Sequence, residues 1–433
     1  MHAVKIGAYA RVCTPHPPSP PAKMTAASPR QRATGKAPAP TASAAPRAAA
    51  AARAPVAGSA MAPAPLAPPP FTKEALRLAI PAHCFERSAA TSLYYAARDV
   101  AMYAALAWAA AAGIPLVPHA GARAALWAAY AYAAGCVLTG WWMIGHECGH
   151  GAFSASPALN FVVGTLAHTS LGVPYAAWRI THARHHKHTN SMEDDEPFVP
   201  FSRDEVFAKA ALGLLHDSPA LRAVYIAAHL LFGWPLYLLI DLGGPAKNHA
   251  AAGARWWAAP NHFLPTSALF ERGQRAEVAF GTAVYVAYLA ALYALGAAYG
   301  WGALFRLYGA PLLVVNAHLV TITYLQHTDA AVPHYRGEEF TWLRGALATV
   351  DRSWGPTRDA LFHHISNTHV AHHLFHDLPF YHAKEATVAL RKALGDYYMK
   401  DDTPIGRALW RSFTACKFVD DAGVAFFKPH SAL

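Results

Sequence analysis

Apolar runs and histidine-bearing polar segments alternate along most of this chain. Stretches free of Asp, Glu, Lys and Arg cover residues 100–117, 124–145, 151–178, 223–240, 278–305 and 307–325. A helix needs about 20 apolar residues to cross the hydrocarbon core of a bilayer. Residues 100–117 and 124–145, joined by a connector containing Arg123, therefore predict one transmembrane hairpin, and 278–305 with 307–325 predict a second. Pro157, Gly164, Gly172 and Pro174 interrupt 151–178, which predicts a re-entrant or interfacial segment. The stretch 223–240 is the shortest of the last three and carries Gly233 and Pro235, so it predicts an interfacial helix.

Histidines punctuate these runs. The second span ends in His146-Glu147-Cys148-Gly149-His150, and His182-Ala183-Arg184-His185-His186 and His369-Val370-Ala371-His372-His373 both read H-x-x-H-H. Spacings of three and four residues place imidazoles on one helical face. If the clusters share one site, an even number of crossings separates the second from the third, which agrees with keeping only two of the last three stretches as spans. The fold expected is all-α and integral to the membrane: about four transmembrane helices in two hairpins, interfacial helices, and a histidine-rich cap on the cytosolic face.

The first cluster alone spells H-E-x-x-H, in which two histidines bind zinc and the glutamate is the base of a protease. One zinc takes about four ligands, and eight box histidines are far too many for it. Eight nitrogen donors suit a pair of five- or six-coordinate ions, and imidazole serves iron well. His327, just beyond the last apolar run, is a ninth candidate ligand. His188, His318, His334 and His364 read as structural. Carboxylates near the boxes, Glu147, Asp194, Asp195 and Asp377, are candidates to orient the imidazoles from behind. A metal transporter would want polar groups inside the spans, and these have almost none.

Composition agrees with the membrane class: 54% of residues are hydrophobic and 14% charged, against about a quarter charged in a soluble domain. The net charge of +10 is local. Residues 1–73 hold nine Lys and Arg and no acid, leaving 27 basic against 26 acidic groups in the rest, so nothing points to nucleic acid. Residues 1–70 are an Ala-, Pro- and Arg-rich leader that predicts disorder and fits a transit peptide, with Met24 and Met61 as later possible starts; residues 71–433 are the membrane domain. Five scattered cysteines form no disulfide framework and place the chemistry in a reducing compartment. Nitrogen-ligated iron activates dioxygen strongly enough to take hydrogen from an unactivated methylene, and an acyl chain in the bilayer is a substrate suited to that location.

The boxes, their order, and the segments AIPAHCFERS (79–88), TYLQHTDAAVPHY (323–335), WLRGALATVDRSWG (342–355) and THVAHHLFHDLPFYHAKEA (368–386) resemble the membrane fatty-acid desaturases, nearest to the microsomal omega-6 (delta-12, oleate) type. The second box reads H-A-R-H-H where plant members usually have H-R-R-H-H, and Asp329 stands where they often have histidine. The resemblance implies two iron ions held by His146, His150, His182, His185, His186, His369, His372 and His373, with His327 at the place of an additional histidine. It also implies dioxygen as co-substrate and an acyl chain esterified to a phosphatidylcholine-type lipid. Electrons would come from a separate cytochrome b5 and its NADH reductase, or from ferredoxin in a plastid. Glu147 and the third box point to the endoplasmic reticulum membrane rather than the chloroplast envelope. Oleate to linoleate conversion is the reaction expected, with omega-3 (delta-15) desaturation and then acyl hydroxylation as alternatives.

Overall fold

The computed structural model describes residues 54–197, 199–203, 218–253, 255–429 and 431; residues 1–53 of the expected leader lie outside them. The described part is helical, with one two-stranded antiparallel sheet that pairs β1 (Pro333–His334) with β2 (Ala425–Phe426). Residues 54–70, placed with the leader on composition, pack on the body: Met61 is buried with Ala331, Val332, Tyr335 and Met399, and Arg344 and Tyr397 donate to backbone carbonyls of this stretch.

The helices that matter for the site run in chain order: α1 (Lys73–Ala79), α2 (Ala89–Gly113), α3 (Ala120–His150), α4 (Pro157–Thr169), α5 (Tyr175–His188), α6 (Pro219–Ile240), α7 (Arg275–Tyr299), α8 (Ala310–His327), α9 (His369–Leu374), α10 (Phe380–Leu394) and α11 (Ile405–Ala415). Their ends follow local chemistry. Ser88 caps α2 by accepting from the Thr91 N–H at 3.2 Å, and Ser156 caps α4, with Pro157 at its first position. α3 stops directly after His150 because Gly151 turns left-handed, at φ 72°, and returns its N–H to the carbonyls of the last turn.

Among the described residues, four helical runs are long and apolar enough to cross a membrane: Ala89–Leu116, Pro219–Ile240, Arg272–Tyr299 and Trp301–His327. Large apolar side chains such as Trp108, Phe280, Val286, Leu289 and Phe305 stand exposed on them, the surface a lipid-facing helix requires. α3 is the inner helix. It buries 16 of its 31 residues against α2, α4 and α8, and its many Ala and Gly residues permit that. Gly135 lies against Val314 and the Pro311 carbonyl of α8, while a Cβ at Gly145 would strike the His168 ring on α4.

α6 departs from its sequence expectation in one respect: it is a full 22-residue helix, as apolar as a span. Its contacts reach the histidine end of the bundle. The His229 ring lies 5.9 Å from Tyr324, one turn before His327, Trp234 meets Trp142, one turn before His146, at 5.7 Å, and the Tyr237 hydroxyl donates to Thr181, the neighbour of His182, at 3.2 Å. α6 also packs extensively against α8, with Gly233 on Val320, so it lies beside that helix and reaches the roots of three ligand segments. The expectation is corrected on two points: by length and composition α6 counts among the four candidate spans, and α3, expected to cross over residues 124–145, does not.

Below the histidines a buried charge network ties the loops together. Arg352, 1% exposed, pairs with Asp329 at 2.9 Å and with Asp401, and Arg411 joins both carboxylates. Asp329 is thus a structural anion, and its side chain is directed away from the ligands toward two guanidinium groups. Removing one partner of a buried pair strands the other charge, at about 3–5 kcal/mol. R352A should therefore depress the thermal midpoint of the detergent-solubilised protein sharply, whereas K400A, in a pair with the exposed Asp402, should leave it within scatter. Equal midpoints for the two variants would show that the network does not hold the fold.

Candidate metal centre

Four separated segments deliver nine imidazoles to the mouth of the bundle, and they divide into two groups. His146, His150, His182, His186 and His372 form the first, with ligand atoms all within 4.8 Å of one another. His185, His327 and His373 form the second on the same criterion, and His369 completes it, with Nε2 3.0 Å from His373 and 3.3 Å from His327. Neighbouring residues on a helix point about 100° apart. His185 and His186, and likewise His372 and His373, therefore serve different groups, which the expectation of one shared face had merged.

The spacing within each group suits a metal ion. The Nε2 atoms of His146 and His150 are 3.3 Å apart, those of His182 and His186 3.2 Å, and those of His186 and His372 3.1 Å. An octahedral ion with metal–nitrogen bonds of about 2.1 Å places adjacent donors about 3.0 Å apart. Seven of the nine side chains are buried, and His150 and His182 are half-buried. Burial lowers the pKa of His182, His186, His369, His372 and His373 well below the usual imidazole value, and the facing imidazoles push the same way. Those rings are therefore neutral, with lone pairs free, at physiological pH.

Groups behind the rings fix which nitrogen faces the centre. Asp195 accepts from His185 Nδ1 at 2.7 Å and is itself held by the Asn190 and Glu196 N–H groups at 2.7 and 2.8 Å. That leaves the Nε2 lone pair of His185 pointing inward. Thr189 spends its single hydroxyl proton on the His185 carbonyl at 2.7 Å. Toward His373 Nδ1, 3.2 Å away, it can only accept, which again leaves Nε2 free.

The other carboxylates divide. Glu147 lies 3.4 Å from His146 Nδ1 without a hydrogen bond to it, and accepts instead from the Phe380 N–H at 3.1 Å, which ties α3 to the start of α10. Asp194 is not brought to the centre: half its surface is exposed and it pairs with Lys247. Asp377 is half-buried, and its charge acts on His376, which is not among the nine.

Two contributors were missed. Asp351 accepts from the Val370 N–H at 2.8 Å and from the Tyr398 hydroxyl at 2.6 Å, so it secures the first turn of α9, and burial pushes its carboxyl up to about 6. It lies 18 residues from the box it supports, and no local spacing marks it. His376 places its ring 5.0 Å from His150 and 5.5 Å from His186. Its signal was present, four residues after His372. Cys148 packs with Ile144, Phe153 and Tyr175 in an apolar cluster and takes no part.

Fold and site together define a helical membrane protein built around two adjacent groups of histidines, each able to hold a metal ion. Residues 123–404 match the family model described as fatty acid desaturase, and residues 33–108 match a domain of unknown function, DUF3474. Similar proteins include the delta(12)-acyl-lipid desaturase of Punica granatum, 42% identical over 82% of this chain and 88% of that protein. The endoplasmic-reticulum omega-6 fatty acid desaturase of Brassica juncea is 42% identical over 82% and 89%, and so is the oleoyl-12-hydroxylase of Ricinus communis. The chain belongs to the fatty acid desaturase family and is an oxidoreductase.

Loss of an orienting carboxylate typically weakens metal binding by about 10–100-fold. D195N should accordingly lose iron during purification, with D194N retaining the wild-type content, both read as iron per chain by plasma mass spectrometry. Equal iron in the two would remove Asp195 from the site.

Proposed function

We propose that this chain is an acyl-lipid delta-12 (omega-6) desaturase that converts oleate to linoleate in a membrane lipid. The observation that carries the reading is the pair of neighbouring imidazole groups, five and four rings, at the mouth of apolar helices. Kinship with delta(12) and omega-6 desaturases narrows the reaction.

The first iron would be held by His146, His150, His182, His186 and His372, the second by His185, His327, His369 and His373. Bound there, iron supplies the dioxygen chemistry that removes hydrogen from an unactivated methylene. Dioxygen takes four electrons in all, two from the acyl chain and two from an external donor, and leaves as two waters. The protein's share is positional. Asp195 and Thr189 hold rings in place, Asp351 holds α9, and the indoles of Trp142 and Trp178, packed against His146 and His182, keep the apolar side of the first group dry. The substrate class in this reading is a phosphatidylcholine-type lipid. The donors are cytochrome b5 and its NADH reductase, and the location is the endoplasmic reticulum.

Equal identity to an oleoyl-12-hydroxylase makes hydroxylation the second reading. Fatty-acid profiling of a yeast strain that makes oleate but no polyunsaturates tests both. The full chain should yield linoleate, H185A and H372A should yield none with protein present in membranes, and added linoleate should pass unchanged. A hydroxylated product would support the second reading, and conversion of the added linoleate would move the assignment to omega-3.

A further inference from the structure

We propose that His83, Cys84, His382 and Glu385 form a zinc(II) site, separate from the two imidazole groups. It stands independently of which reaction the irons perform. The four residues come from opposite ends of the folded domain: a short 3-10 turn, Ala82–Phe85, and α10. On α10, positions 382 and 385 are three apart and share a face. All four ligand atoms lie within 4.8 Å of one another.

The distances and donor types fit zinc. A tetrahedral zinc with bonds of about 2.3 Å to sulfur and about 2.0–2.1 Å to nitrogen and oxygen puts sulfur and nitrogen about 3.6 Å apart and nitrogen and oxygen about 3.4 Å apart. Here Cys84 Sγ is 3.7 Å from His83 Nε2, and the same nitrogen is 3.0 Å from Glu385 Oε2. The His382 ring stands 5.6 Å from that of His83, edge to face. A thiol and a carboxylate converge on one imidazole nitrogen, which has one proton at most to share between them. A cation at their centre satisfies both. Thiolate and carboxylate supply two negative charges, the charge of the ion, and neutral imidazoles complete the set. Binding releases the thiol proton to solvent.

The setting suits a structural role. Cys84 is fully buried with Leu76 and Ile80 on one side and Val370, Ala371, Leu374 and Phe375 on the other, so its cluster includes the helix of the third histidine box. His83 and Glu385 are half-exposed, which leaves an entry path for the ion. Zinc here would pin the turn before α2 to the helix that follows the third box.

The test uses purified full-length protein carrying its irons, equilibrated with a small excess of zinc and desalted. About one zinc per chain should remain, the stoichiometry of a single four-ligand site. H83A and E385Q change half-exposed side chains and should cut retained zinc about tenfold or more at unchanged iron, the iron content reporting that the fold is intact. With cobalt(II) in place of zinc, a thiolate-to-cobalt charge-transfer band should appear and be absent in C84S; the imidazole groups contain no thiolate and cannot supply it. No retained zinc in the wild type, or equal zinc in H83A and E385Q, overturns the site.

Discussion

Everything in this structure depends on delivering nitrogen lone pairs, uncharged and correctly aimed, to two points at a membrane boundary. Imidazole binds a metal only when neutral and only through the nitrogen that lacks a proton. Burial supplies the first condition: it lowers the pKa of His182 and His186 in the second box and of His369, His372 and His373 in the third. Partners behind two of the rings supply the second, and they are of different kinds, a carboxylate at His185 and a hydroxyl at His373. An ordinary Ser or Asp at such a position becomes part of the metal centre without touching the metal.

The helices answer to the same demand. α3 carries two candidate ligands at its last turn and is enclosed by three other helices, so its direction is fixed by close approach to α8 at Gly135 and to the His168 ring of α4 at Gly145. α9 is only six residues long and could not hold a direction unaided. It is held from outside: Asp351 at its first turn, and the apolar cluster of Leu76, Cys84, Ala386 and Leu390 beneath it. Asp351 in turn precedes Arg352, whose buried ion network anchors the loop after α8. The second metal position therefore rests on a chain of contacts that reaches the C-terminal segment through Asp401 and Arg411.

That these histidines converge was legible because histidines at helical spacing carry geometry in the sequence itself. Asp195 was legible as a candidate by nearness, but nearness could not separate it from Asp194, since the turn after α5 brings one carboxylate inward and leaves the next to Lys247. The division into two groups was not read, although it follows from the rotation between adjacent residues. Asp351 and the pairing of His83 with Glu385, 302 residues away, depend on tertiary contact and leave no periodic trace. α6 shows a related limit: length and apolarity measure what a helix could cross, and only its contacts with Trp142, Thr181 and Tyr324 tell where it runs.

The comparisons bear on where the outcome of such a reaction is set. Relatives described as a delta(12)-acyl-lipid desaturase and as an oleoyl-12-hydroxylase are equally similar to this chain, at 42% identity over the same share of it. A scaffold that supports both cannot itself dictate whether a chain radical loses a second hydrogen or gains oxygen. One pKa unit corresponds to about 1.4 kcal/mol, and about the same energy shifts a branching ratio tenfold. An energy of that size is within what one altered apolar packing contact contributes. The apolar surroundings of the first group, with Trp142, Trp178 and the His168 ring packed together, leave little slack.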